Sequence, residues 1–182
     1  HADRAIILLG TTHNDLGSSE YAELHGRVEG RLPQLDLELE RRVQETCLKI
    51  IQAGLVESAH DCSDGGLAVT LAESCFSSYR RDAVGCEVNL ESLLPAAALL
   101  FAETPSRIVL SALDDNVAQI LKNARGDGVA ATVIGRTSGE GLKIKLNGER
   151  VIDRLVADVE IAWRGLLPRV LEVSSLIAAE EK

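Results

Sequence analysis

The stretch from Ser58 to Ala68 limits the fold of this chain more than any other part of the sequence. An apolar segment, 55–59, leads into it, and a segment with apolar residues at helical spacing, 67–76, follows it. Two adjacent glycines, Gly65 and Gly66, separate these segments. This order predicts a strand, a tight turn and a helix in direct succession, which is typical of α/β domains.

The turn itself, residues 60–66, concentrates polar groups, because a His, two Asp and a Ser precede the glycines. A helix that begins at Gly66 or Leu67 would point its free N–H groups at the turn, which favours an anion such as phosphate. The two Asp side chains could then hold a divalent cation that accompanies the phosphate. An ordinary N-cap and tight turn is the alternative, and these residues fit it equally well. The spacings of a Walker loop and of a dinucleotide fingerprint are absent.

Length and charge narrow the class of protein further. The 182 residues suffice for a single domain, residues 1–182. A net charge of −9, with scattered Lys and Arg, argues against nucleic acid as a partner. No apolar run is long enough to cross a bilayer and no secretory signal is visible, so we expect a cytoplasmic protein without a membrane partner. Because the chain starts at His1 and enters a strand at once, we expect it to be a piece of a longer chain.

The four cysteines, Cys47, Cys62, Cys75 and Cys86, have gaps that fit neither a zinc pair nor a redox motif. Cys47 and Cys75 lie on apolar helical faces and are predicted to be small core residues. For Cys62 a metal-ligand role and a packing role both stay open, and a reduced cytoplasm favours packing.

Hydrophobic periodicity predicts a mixed α/β domain with a mixed sheet of about six strands covered by helices. The predicted strands are 5–9, 55–59, 84–90, 108–110, 129–136 and 142–146, with a return strand at 151–152 after an Asn-Gly hairpin signal. The predicted helices are 20–24, 37–53, 67–76, 93–101, 115–124 and a last helix opened by Asp153 or Asp158 and kinked or ended at Pro168. Asp36 is the predicted cap of the long helix, Asp114 or Asp115 that of the fifth, and 173–182 is a predicted frayed tail. The segment 107–136 resembles a split βαβ unit.

A second informative loop, residues 101–107, precedes the strand at 108–110. Glu103 and Arg107 flank Pro105, which restricts the loop to few conformations. An exposed ion pair between Glu103 and Arg107, contributing little free energy, is the alternative to a binding role.

Together these stretches resemble the last domain of formylglycinamide ribonucleotide amidotransferase, also called phosphoribosylformylglycinamidine synthase, in its synthetase subunit. The matching stretches, in chain order over nearly the whole sequence, are 15–21, 54–69, 101–109, 134–137 and 162–168. The resemblance implies the C-terminal-domain fold of the aminoimidazole ribonucleotide synthetase superfamily.

The resemblance also implies an ATP-dependent carbon–nitrogen ligase of purine biosynthesis, of the EC 6.3.5 type. In that family the amide oxygen of formylglycinamide ribonucleotide is phosphorylated by ATP, and glutamine-derived ammonia displaces the phosphate. This chain corresponds to the second C-terminal domain, so its ATP-binding N-terminal partner domains would lie elsewhere in the same protein. A glutaminase subunit and a small accessory subunit are the implied partners, and ATP and Mg²⁺ the implied cofactors. The isolated chain is expected to be inactive.

The site residues implied by the resemblance come from the family's first C-terminal domain. Asp61 is the candidate metal ligand, and no residue is expected to be catalytic. The candidates for binding the phosphate of a substrate or nucleotide are Ser63, Asp64, Gly65, Gly66, Glu103, Ser106 and Arg107, with Arg107 as a bidentate donor.

The sequence departs from the family's first half at Ser63, Asp64 and Gly65, where that half has small uncharged residues. The carboxylate of Asp64 would repel a phosphate. Two alternatives therefore stay open. In the first alternative, the domain would be an auxiliary nucleotide-binding scaffold without turnover. In the second, the chain would belong to a sibling synthetase or kinase of the same superfamily.

Overall fold

The sheet is built around β1 (Ala5–Leu9), an apolar strand whose five residues are all buried. In the computed structural model, residues 2–26, 31–78, 81–166 and 171 are described. Ile6 and Leu8 pack into the core on one face of the sheet, and Ile7 and Leu9 into the core on the other. A continuous apolar run is what a strand covered on both faces requires.

Six further strands complete the described sheet. They are β2 (Ser58–Asp61), β3 (Cys86–Leu90), β4 (Ile108–Ala112), β5 (Ala131–Thr137), β6 (Gly141–Leu146) and β7 (Glu149–Leu155). Their order is β2-β4-β1-β5-β3-β6-β7. Strands β3 and β6 pair in parallel and the other neighbours are antiparallel. The predicted mixed sheet is therefore confirmed, with β7 as the return strand after Asn147 and Gly148.

Helices cover both faces of this sheet. They are α1 (Glu20–Leu24), α2 (Leu37–Gln52), α3 (Gly66–Cys75), α4 (Ala96–Phe101), α5 (Asp114–Gly126) and α6, of which residues 156–166 are described. Helices α2 and α5 pack on one face, whereas α3, α4 and the start of α6 pack on the other. The result is a helix–sheet–helix layering with one core on each side of the sheet.

The predicted split βαβ unit is confirmed. Strands β4 and β5 both pair antiparallel with β1, which lies between them, so they run parallel to each other. Helix α5 makes the connection between β4 and β5.

The bounds of β2 differ from the prediction for a physical reason. The predicted strand was 55–59, but Leu55 donates its N–H to the carbonyl of Ile50 at 3.2 Å and so completes the end of α2. Pairing with β4 runs from Ser58 to Asp61. The first residues of the central motif are therefore the strand itself, and the turn begins after Asp61.

The predicted helix caps had mixed outcomes. Asp36 caps α2 as predicted, since its Oδ1 accepts from the amides of Glu38 and Leu39 at 3.0 Å. The prediction for α5 was wrong, because Leu113 is its N-cap residue and makes no side-chain capping bond.

At the end of the chain, α6 starts at residue 156 rather than at an Asp, because β7 extends to Leu155 and includes Asp153. The predictions for Pro168 and for 173–182 lie outside the described residues.

The cysteines bear out the packing prediction. All four are buried free thiols. Cys47, a residue of α2, lies in the core on one face of the sheet, whereas Cys62 and Cys75 lie in the core on the opposite face. No helix within the described parts of the chain is long and apolar enough to span a bilayer.

Candidate functional site

The turn after β2 and the loop before β4 meet at one edge of the sheet. Asp61 pairs with Ile108 in the register of β2 and β4, and the amide of Cys62 donates to the carbonyl of Arg107 at 2.9 Å. The two stretches that the sequence singled out are therefore direct neighbours. We call the contact of Cys62, Gly65 and Gly66 with residues 102–107 the turn–loop junction.

Arg107 lies inside this junction, with only 2% of its surface exposed. Its Nε donates to the carbonyl of Thr104 at 2.9 Å, its Nη2 to that of Ala102 at 2.6 Å, and its Nη1 to Thr12 Oγ1 at 2.9 Å. Burial lowers the pKa of the guanidinium, while the nearby Cys62 and two carboxyl groups act in the opposite direction. The alternative of an exposed ion pair with Glu103 is wrong, because Arg107 is buried.

A buried polar network extends from Arg107 into the loop after β1. Thr104 Oγ1 donates to Asp15 Oδ1 at 2.5 Å and accepts from the amide of His13 at 3.2 Å. Asp15 is only 5% exposed and Thr104 3%. Both residues lie in the stretches that carry the family resemblance, but the sequence pattern indicated no role for either of them. Both residues help to fix the loop after β1 against the junction.

Glu103 is used as an acceptor rather than as an ion-pair partner. Its Oε1 accepts from the amide of Gly65 at 2.9 Å and from the amide of Glu20 at 2.9 Å. Gly65 is the N-cap residue of α3, and Glu20 is the first residue of α1. One carboxylate therefore holds the starts of two helices.

Gly66 and Gly10 allow this close packing. A Cβ on Gly66 would lie 2.5 Å from the carbonyl oxygen of Ala102, and a Cβ on Gly10 would lie 2.1 Å from that of Ser106. Both glycines also have positive φ, +67° and +86°, which side-chain-bearing residues rarely adopt. The packing of the neighbouring loop therefore requires glycine at position 66, independently of any ligand.

Asp61, Ser63 and Asp64 form an exposed polar edge beside the junction. Ser63 Oγ donates a short hydrogen bond to Asp61 Oδ2. That bond is the main cause of a lowered pKa of Asp61. His60 Nδ1 lies 2.8 Å from the carbonyl oxygen of Asp61.

The described residues do not complete a metal site around Asp61. Among them, no group of three or more His, Cys, Asp or Glu side chains could hold a metal ion. A Mg²⁺ ion at Asp61 would need further oxygen ligands from water, a nucleotide or other parts of the protein. The metal role of Asp61 stays a prediction.

Ser106 contacts α2 rather than the polar edge. Its Oγ donates to Glu40 Oε2 of α2 at 2.6 Å, and its own φ is +60°. Beside it lies a pocket of about 500 Å³, lined by 104–106, part of the loop after β1 and residues at the start of α2. Residues 60–66 do not line this pocket, so the structure does not gather all the predicted phosphate contacts around one cavity.

A second pocket, of about 380 Å³, lies at the other end of β2 and β4. Ser58 and Ser111 are paired across these strands there, with their Oγ atoms 2.6 Å apart, and both line the pocket. Sequence reasoning gave no indication of this pocket.

Comparisons with known proteins agree with the fold and the motifs. Residues 2–147 match the family model described as AIR synthase related protein, C-terminal domain. The phosphoribosylformylglycinamidine synthase subunit PurL of Moorella thermoacetica is 42% identical over 164 residues, which is 90% of this chain and 22% of that protein. The chain thus spans about a fifth of the length of the curated relatives it matches.

Two solved structures have a similar fold. T. maritima PurL complexed with FGAR matches with a TM-score of 0.74 and 19% identity, over 86% of this chain and 28% of that chain. PurLQS from Thermotoga maritima matches with a TM-score of 0.64 and 17% identity, over 86% of this chain and 26% of that chain. At these identities the likeness concerns the fold alone.

Proposed function

Because this chain belongs to the family of AIR synthase related proteins, C-terminal domain, we propose that it is one domain of a phosphoribosylformylglycinamidine synthase synthetase subunit. The observation that carries the proposal is the 42% identity to the Moorella thermoacetica subunit over 90% of this chain. The same identity favours this synthase over a sibling enzyme of the superfamily.

The proposed reaction of the whole protein is ATP-dependent amidine formation. The amide oxygen of formylglycinamide ribonucleotide accepts the terminal phosphoryl group of ATP, and ADP leaves. Ammonia then adds to the activated carbon, the carbon–oxygen bond breaks, and inorganic phosphate leaves with that oxygen. Ammonia would come from a glutaminase subunit, with a small accessory subunit completing a cytoplasmic complex.

The role of this domain within that reaction is divided between two groups of residues. Glu103, Arg107, Gly65 and Gly66 hold the turn–loop junction through backbone contacts. Asp61, Ser63 and Asp64 stay exposed and are free to face a ligand or another domain of the same protein. We therefore propose that any contact with a nucleotide or Mg²⁺ is made by this exposed edge, and that the domain contributes no catalytic residue.

Purified whole protein and this isolated chain, assayed side by side, test the assignment. With formylglycinamide ribonucleotide, ATP and ammonium, we expect the whole protein to form one amidine per ADP and the isolated chain to form neither. Ammonium replaces the glutaminase partner in this assay. Amidine formation by the isolated chain, or absence of ADP release by the whole protein, would contradict the proposal.

A scaffold without turnover is the second candidate, and the burial of Arg107 favours it. Asp61→Asn and Arg107→Ala in the whole protein separate the two. Lower melting with unchanged turnover per folded molecule supports a scaffold, whereas lower turnover with unchanged melting in Asp61→Asn supports contact of the exposed edge with a nucleotide or Mg²⁺ during turnover.

A further inference from the structure

The start of α3 lacks the local features that normally stabilise a helix start. Its N-cap residue, Gly65, has no side chain, and its first turn carries no acidic residue. By contrast, α2 has Asp36 at its N-cap and two acidic residues in its first turn. The free amides and the positive end of the helix dipole at α3 therefore need an acceptor from elsewhere.

Glu103 supplies that acceptor from a distant part of the chain. Its Oε1 accepts from Gly65, 38 positions away, and from Glu20, 83 positions away. The backbone of Glu103 is fixed by its neighbours, since Ala102 and Thr104 are buried and their carbonyls bind Arg107. The carboxylate is therefore held at the turn by the same loop that the guanidinium rigidifies.

We propose that Glu103 is the resident anion of this turn. Its carboxylate accepts from the N-cap amide of α3, as the Glu of a capping box does, and places a negative charge at the helix start that opposes the binding of phosphate there. Asp61 and Asp64, exposed beside the turn, would repel a second anion at the same point. This inference is independent of the proposed reaction, since it concerns only the hydrogen bonds of Glu103 to the first residues of two helices in this domain.

Amide hydrogen exchange on this chain tests the contact itself. Glu103→Gln keeps the shape of the side chain but removes its charge, and Glu103→Ala removes the acceptor. We expect exchange at the amides of Gly65 and Glu20 to accelerate together, by roughly tenfold or more in the Ala variant and less in the Gln variant. The amide of Leu39, which Asp36 holds, is the internal control and should not change.

A titration with inorganic phosphate tests the second half of the proposal. In the unmodified chain, at constant ionic strength, the amide resonance of Gly65 should stay in place as phosphate is added. A saturable shift of that resonance would overturn the proposal, because it would mean that the turn accepts phosphate with Glu103 present. Unchanged exchange at Gly65 and Glu20 in both variants would overturn it equally, and neither readout depends on enzymatic activity.

Discussion

Gly66 packs against the carbonyl of Ala102 so closely that a Cβ on the glycine would lie 2.5 Å from that oxygen. Gly66→Ala should therefore lower the free energy of unfolding by about 2–4 kcal/mol, through overpacking and the positive φ of +67°. Urea denaturation of the isolated chain measures this change.

Gly126→Ala is the matched control for that variant. Gly126 is the last residue of α5, and a Cβ there would meet nothing within 4 Å. We expect it to be neutral or to stabilise the chain by about 0.4–1 kcal/mol. Equal losses in both variants would mean that Gly66 is not constrained by the neighbouring loop.

Asp36→Ala should cost about 1 kcal/mol, because the amides of Glu38 and Leu39 lose their acceptor. Asp115→Ala, in the first turn of α5, should cost less than about 0.5 kcal/mol, since it removes only a charge near a helix start. Chemical denaturation of the two variants compares them directly. A larger loss for Asp115 than for Asp36 would contradict the observed capping.

The pKa of Asp61 should lie below the ordinary value for an aspartate, because Ser63 donates to its carboxylate. A lowered pKa means that this contact stabilises the fold above the unfolded-state pKa and is lost as the pH falls through the folded-state pKa. Ser63→Ala should raise the pKa of Asp61 towards its ordinary value. Carboxyl chemical shifts followed by NMR between about pH 2 and 6 measure it, and an unchanged pKa in Ser63→Ala would remove Ser63 as the cause.

Local sequence signals predicted much of this fold. The all-apolar segment 5–9 became the doubly covered strand β1, and Asp36 marked the start of α2. Local sequence signals gave the wrong bounds where pairing between distant strands sets the start of a strand. The start of β2 is set by its register with β4, and residue 55 is taken by the end of α2.

The sequence predicted which two segments of the candidate site lie together, but not the contacts that their side chains make. The motif residues and the loop at 101–107 do lie together. Sequence alone could not show that the guanidinium of Arg107 turns inward, because that depends on carbonyls of Ala102 and Thr104 whose orientation only the folded loop fixes. Nor could the sequence show that Glu103 accepts from the amides of Gly65 and Glu20, because these two helix starts are far from Glu103 along the chain.

The residues singled out by the sequence divide into a buried junction and an exposed edge. The most direct test compares the free energies of unfolding of Arg107→Met and Asp61→Asn in this chain. Arg107→Met should cost about 3 kcal/mol or more, because two carbonyls and Thr12 lose their donor, whereas Asp61→Asn should cost less than about 1 kcal/mol. Equal costs, or an Arg107→Met chain as stable as the unmodified one, would contradict this division into buried and exposed residues.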